Sequence, residues 1–155
     1  MNRTLVFRSR QRVRRVHTAM LRRVARWLLE DSLGVSDYEI CIHLVGADEM
    51  ARINQAFLQH EGSTDIITFD HAESTQAGTL HGEMFICLDD ALKQAREFKT
   101  SWQNELTRYV IHGVLHLRGY DDLKPAARRV MKREENRLVR AASREFPLAR
   151  LAKSD

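Results

Sequence analysis

The stretch YEICIHLVG at residues 38–46 is the strongest strand in this chain, a run of β-branched and aromatic side chains closed by a glycine. Before it, TLVFRS at 4–9 alternates weakly and reads as a first strand. After it, DIITF at 65–69 and LHGEMFICL at 80–88 read as two more, joined by the loop HAESTQAGT at 71–79 into a hairpin. Between the strands the apolar period lengthens to three and four residues, which predicts helices. Val13, Val16, Met20, Val24 and Leu28, widened by Trp27, predict a long helix ending near residue 30. Met50, Ile53 and Phe57 predict a second, followed by the polar turn HEGST. Asp89 is placed to cap a third, through Ala91 or Leu92, Ala95 and Phe98. Thr100 with Gln103 resembles a capping box for a fourth, whose stripe of Trp102, Leu106, Val110, Val114 and Leu117 stops at Gly119. Pro125 suits the first turn of a fifth, running to about residue 143. The expected fold is α+β: one compact domain over residues 1–150, a small mixed four-stranded sheet covered by about five helices, and a C-terminal tail at 151–155. Only the last dozen residues look dispensable.

A chain of 155 residues suits one substantial core, and 43% apolar with 30% charged residues argues against disorder and fibrous repeats. Cys41 and Cys87 fall inside apolar strands and read as buried reduced thiols, too few for a Cys-only zinc site. No apolar run reaches membrane-spanning length and no signal-peptide core follows the basic N-terminus, so a cytoplasmic protein with no membrane partner is expected. The net charge of +4 conceals a segregation. Residues 1–29 hold nine Arg and no acid, residues 30–97 hold fourteen acids against three bases, and the remainder is basic again. Basic ends around an acidic centre suit a phosphate-rich partner, although arginines also serve as solvated helix faces.

The chemistry concentrates in HGVLHLRGYDD at 112–122. His112 and His116, four apart, lie ~40° apart on one helix face and can deliver two imidazoles to one metal. Gly119 breaks the helix so that Asp122, in preference to Asp121, returns with an oxygen ligand. Two histidines and one carboxylate leave a zinc tetrahedron open at its fourth position, as a catalytic site requires. An isolated His pair at this spacing also occurs at an ordinary helix edge; the Gly and the distal carboxylate favour the metal. Zinc peptidases of the His-Glu pattern carry a general base directly after the first His. Gly113 stands there, which disfavours peptidase chemistry.

HGVLHLRGYDD resembles the signature of the YbeY family of bacterial single-strand-specific endoribonucleases, implicated in rRNA maturation and ribosome quality control. NQAFLQHEGSTDIITF at 54–69 resembles the family's Asn-led segment ending in Thr-Asp-Val-Leu-Ser-Phe, and LHGEMFICLDDA at 80–91 its Gly-Asp-Ile strand. The resemblance covers most of the chain. It implies an α+β fold, a zinc-dependent hydrolase with one Zn2+ per chain, and single-stranded RNA or an rRNA precursor as substrate, notably the 3′ end of 16S rRNA, with ribosomal subunits or assembly factors as partners. Two positions depart from it: Asp122 replaces the usual third His ligand, and Leu58 stands where the family commonly has an Arg that engages phosphate.

Glu83 retains the acidic position of the family strand and is the proton-transfer candidate, with an inward strand carboxylate or ion-pair partner as the alternative. Asn54 suits a cap or brace, or the positioning of a backbone or substrate group; Thr64 and Asp65 suit a turn before the strand, with Asp65 near the cleft as the alternative; and Tyr120 suits packing over the ligand turn or base stacking. His43, His60, His71 and His81 belong to no coherent local pattern, and His81 gains interest only from its nearness to Glu83. Arg12, Arg15, Arg22 and Arg23 are the expected RNA contacts, or failing them Arg128, Lys132 and Arg137 of the last helix. The rival to an endoribonuclease is a noncatalytic RNA- or ribosome-binding assembly factor with structural zinc, and more distantly a metallopeptidase.

Overall fold

A computed structural model of the chain describes residues 2–58, 65–72 and 79–153, without the Leu58 side chain. Strands β1 (Arg3–Arg10), β2 (Asp37–Val45), β3 (Ile66–Asp70) and β4 (Thr79–Cys87) form one sheet in the order β1-β2-β4-β3. The first three neighbours in that order run parallel, and β3 returns antiparallel to β4 as the expected hairpin. Around it lie α1 (Thr18–Arg26), α2 (Ala47–Ile53), α3 (Leu88–Glu97), α4 (Trp102–Leu117) and α5 (Pro125–Glu145). The α+β class, the mixed four-stranded sheet and the five helices match the expectation.

Successive strand residues point to opposite faces, so each strand divides its side chains between two environments. Ile40, Ile42, Leu44, Leu80, Met84 and Ile86 form the main core with α1 and α4. Val45, Ile67 and Cys87 join Met50 and Ile53 of the α2 helix in a smaller cluster on the other face. α4 crosses the first face closely at two glycines. A Cβ on Gly82 would lie 2.5 Å from Leu117 Cδ2 and 2.9 Å from the Phe69 carbonyl oxygen; one on Gly113 would lie 2.8 Å from Met84 Sδ.

Three expectations need correction. Val13 and Val16 keep helical spacing, yet α1 starts at Thr18, capped by His17 Nδ1 accepting from Met20 N at 3.0 Å. The preceding residues are extended because the C-terminal segment pairs with them: Val16 bridges Ala152, His17 N–H donates to Leu151 O at 2.8 Å and Lys153 N–H to Arg15 O at 3.0 Å. Nor is the last dozen dispensable, since Leu148 and Leu151 are 6% and 0% exposed. The caps also shift. Asp89 sits inside α3 and its Oδ2 accepts from Ala47 N at 2.6 Å, closing the start of α2 instead of its own helix. α4 is capped by Ser101, whose Oγ accepts from Asn104 N at 3.1 Å.

Replacing Leu151 by Ala should therefore lower stability by about 2–5 kcal/mol, the cost of a cavity in a closed core, visible as a reduced urea midpoint. Alkaline pH tests a second contact. Tyr38 is wholly buried and donates to Glu30 Oε2 at 2.6 Å; burial first, then that hydrogen bond, pushes its pKa from 10.0 up to about 12. A raised folded value stabilises fully below the unfolded pKa. Its contribution should be lost as pH climbs from 10.0 through about 12, and Y38F should flatten that part of the stability profile while lowering neutral-pH stability.

Candidate metal centre

Most of α4 is buried, so the helix has one rotational setting, and that setting turns His112 and His116 toward the side where α5 and the end of β3 approach. At its C-terminus Gly119 adopts φ +100°, and the Gly119 and Tyr120 N–H groups donate to His116 O and Leu115 O, both at 3.0 Å. This pair of bonds is the Schellman arrangement, which needs a residue tolerant of positive φ at Gly119 and reverses the chain. Tyr120 packs partly buried against the core, and Asp122 returns over the histidines.

His112 Nε2 and His116 Nε2 are 3.1 Å apart, and Asp122 Oδ2 lies 3.7 and 3.4 Å from them respectively. A tetrahedral zinc with ~2.0–2.1 Å bonds needs its ligand atoms ~3.3 Å apart, so these three side chains fit a zinc ion as they stand. Asp121 is turned away, its Oδ1 accepting from Leu123 N at 2.8 Å. Among the described residues the only other three-ligand group is Cys41, His43 and Glu83, with ligating atoms within 4.8 Å of one another.

The support behind His112 comes from α5, twenty-three residues further along the chain. Glu135 of α5, 4% exposed, places Oε2 3.0 Å from His112 Nδ1 while Oε1 accepts from Arg108 Nη1 at 2.9 Å. Burial pushes the Glu135 carboxyl up, but hydrogen bonds from His112 and Arg108 outweigh it and hold the pKa below its ordinary value. An ionised Glu135 keeps the His112 proton on Nδ1 and leaves Nε2 free to ligate. The signal lay in a charged residue recurring inside the buried stripe of α5, beside Met131 and Leu138, which a solvated face does not require.

A groove of about 680 Å³ opens from His112 and Asp122 between α4, α5 and the C-terminal end of α3, lined also by Arg108, Arg128, Lys132 and Phe98. A smaller recess beside His116 shares Asp65 with the groove and adds Thr68 and Asp70. Arg128 Nε donates to Asp122 O at 3.0 Å, so α5 also ties down the ligand turn.

Glu83 does not reach this cleft. It points from the opposite face of the sheet, where Oε2 is 2.5 Å from His43 Nε2 and Oε1 is 3.4 Å from His71 Nε2. Strand alternation is the reason: Gly82 and Met84 meet α4, so the residue between them cannot. The same geometry explains Gly113, which faces Met84 and the sheet while His112 faces the cleft. Asn54 is buried at the end of α2, as a brace would be. His81 pairs with Glu39 at 3.0 Å. Of the expected RNA contacts, Arg12 and Arg15 precede α1, Arg22 donates to Leu5 O at 2.6 Å and Arg23 lies 6.0 Å over the Phe146 ring. Arg137 pairs with Glu134. Thr64, His60 and the Leu58 side chain lie outside the described residues.

Zinc titration against a competing chelator checks this support: E135Q should weaken binding by about 10- to 100-fold, as removal of an outer carboxylate does elsewhere. D122A should weaken it further, while D121A should bind like the parent.

The endoribonuclease YbeY family profile matches residues 6–143. Curated relatives named endoribonuclease YbeY include one from an Anaeromyxobacter species, 38% identical over 154 residues covering 96% of this chain and 77% of the relative. Another, from Chlorobium luteolum, is 38% identical over 123 residues, covering 79% and 87%. The solution structure of a Thermotoga maritima protein is similar with a TM-score of 0.65 at 26% identity, covering 97% of each chain. The matched span runs from β1 into α5 and so contains both histidines, the turn at Gly119 and the supporting Glu135: this chain belongs to the endoribonuclease YbeY family.

Proposed function

We propose that this chain is a zinc-dependent endoribonuclease that cuts single-stranded RNA during rRNA maturation, at the 3′ end of 16S rRNA, working in the cytoplasm with ribosomal subunits or assembly factors. The observation that carries this is a three-residue His112, His116 and Asp122 cluster opening onto a groove whose mixed lining includes the exposed cations Arg128 and Lys132, together with the family membership. A zinc ion held there supplies Lewis-acid polarisation of a phosphoryl oxygen and lowers the pKa of water.

The chain itself supplies the strand's path. Arg128 and Lys132, one turn apart on α5, line the groove and stay exposed although Arg128 holds the Asp122 and Leu123 carbonyls and Lys132 lies 3.7 Å from Glu135 Oε1, and they suit two successive phosphates. They provide positive charge that Leu58 cannot. Arg108 is committed to Glu135 and Asn136, at 2.9 and 2.8 Å, and acts as a brace. Phe98, 68% exposed, borders the groove and offers an apolar ring to an unstacked base. A duplex keeps its bases stacked and presents no such face, which favours single strands. Asp65 and Asp70 line the recess beside His116 and take the proton-handling role for which Glu83 lies on the wrong face.

Zinc-loaded protein should cleave single-stranded rRNA precursor and leave duplex RNA intact, and H112A/H116A should abolish cleavage. R128A/K132A should lower affinity and reduce the salt slope by about 1.4, at ~0.7 for each phosphate no longer neutralised. D65N/D70N should retain zinc and RNA binding while slowing cleavage by about 10- to 1000-fold. Zinc-loaded parent protein that binds RNA without cutting it would establish the assembly-factor role instead.

A further inference from the structure

The face of the sheet opposite the cleft gathers ligating groups that the RNA chemistry does not use. Residues Cys41 and His43 lie two apart on β2, and the parallel register sets Cys41 beside Glu83 of β4, so all three side chains emerge on one face. His43 is 7% exposed, its ring stacked on Phe85 at 4.2 Å. Arg10 Nη1 lies 3.1 Å from His43 Nδ1, and its Nε and Nη2 bind Glu49 Oε2 at 3.1 and 2.8 Å. His71 adds a second imidazole 3.4 Å from Glu83 Oε1. A thiol, an imidazole and a carboxylate thus stand with ligating atoms within 4.8 Å of one another, and His71 stands behind the carboxylate.

We propose that Cys41, His43 and Glu83 form a second site for a divalent transition metal, with His71 as fourth donor, distinct from the His112 centre and separated from it by the sheet. The Cys41 Sγ to His43 Nε2 distance of 3.4 Å is close to the ~3.5 Å expected between sulfur and nitrogen ligands bound to zinc at ~2.3 and ~2.0–2.1 Å. The 2.5 Å contact of His43 with Glu83 is a hydrogen bond, and an entering ion replaces it. Rotation of the one-third-exposed Glu83 side chain opens that edge. Its other oxygen already stands at ligand distance from His71 Nε2, whereas Cys41 and His43 stay fixed by the strand.

The proton inventory closes. A guanidinium only donates, so Arg10 marks His43 Nδ1 as an acceptor and puts the ring proton on Nε2, donated to Glu83. On metal binding that proton moves to Nδ1, the Arg10 contact with the ring breaks, and Glu49 retains Arg10. The Cys41 thiol releases its proton to solvent as the sulfur–metal bond forms. One proton leaves per ion bound. A thiolate with imidazole and carboxylate favours zinc and cobalt(II) over magnesium or calcium, which prefer all-oxygen cages. The bound ion would tie β2, β4 and the segment after β3 together.

Cobalt(II) titration of the full-length metal-free protein tests this, because only a thiolate ligand produces a near-ultraviolet sulfur-to-cobalt charge-transfer band. The parent should take up two equivalents and H112A/H116A one, with the band at full strength in both. C41S should lose the band and one equivalent while retaining the cobalt spectrum of the His112 centre. E83Q, altered at a partly exposed side chain, should weaken the thiolate-bound cobalt by at least about tenfold with circular dichroism unchanged, which keeps the test open if C41S does not fold. A parent that binds one equivalent with no band, a band that survives in C41S, or unaltered affinity in E83Q would each overturn the second site.

Discussion

The crossing of α4 over the sheet controls everything else in this molecule. Gly82 and Gly113 remove the side chains that would hold helix and strand apart, letting Leu117 and Met84 fill the contact. With Leu106, Val110, Ile111, Val114 and Leu115 almost wholly buried, the helix cannot rotate without exposing several large apolar side chains, each worth roughly 1.5–3 kcal/mol of burial. Apolar packing therefore sets the helix edge on which His112 and His116 stand. The turn at Gly119 then needs only to reverse the chain for Asp122 to meet them.

A helix fixed in this way can support an electrostatic site built on a second helix. Glu135 is nearly buried, and an isolated carboxylate there would be costly; the partners Arg108 and His112 remove that penalty. The same contacts set the His112 tautomer, so one buried charge joins the packing of α5 on α4 to the ligand geometry. Arg128, from the same helix, grips the backbone of the ligand turn. α5 thus holds the centre from two sides while presenting Arg128 and Lys132 to the groove.

The sheet also acts as a partition. Its α4 face is aliphatic and leads to the His112 centre, and its other face carries Cys41, His43, Glu83 and the smaller apolar cluster under α2. Gly113 belongs to this division. The position after the first histidine, where a His-Glu peptidase keeps its base, points into the helix–sheet contact, and the carboxylates that line the cleft come from other elements.

The strands at 38–46, 65–69 and 80–88, the helix ending at Gly119 and the approach of Asp122 to His112 and His116 are legible in the sequence, because each depends on contacts within a turn or a strand period. Other features depend on residues far apart in the chain. The N-terminal end of α1 escapes a local reading because Val16 pairs with Ala152, and the last dozen residues look expendable for the same reason. Asp89 caps a helix forty-two residues away instead of its own. Glu83 reads as a cleft residue because local sequence states its chemistry but not its face; strand alternation fixes faces relative to one another, and only the packing of α4 decides which one the cleft occupies. Sequence alone therefore determined most element types and the three candidate ligands brought together by one local turn. Tertiary structure decided which carboxylates lie near them, since Glu135, Asp65, Asp70 and Glu83 are sorted by burial and by face, and neither is a property of a local stretch of chain.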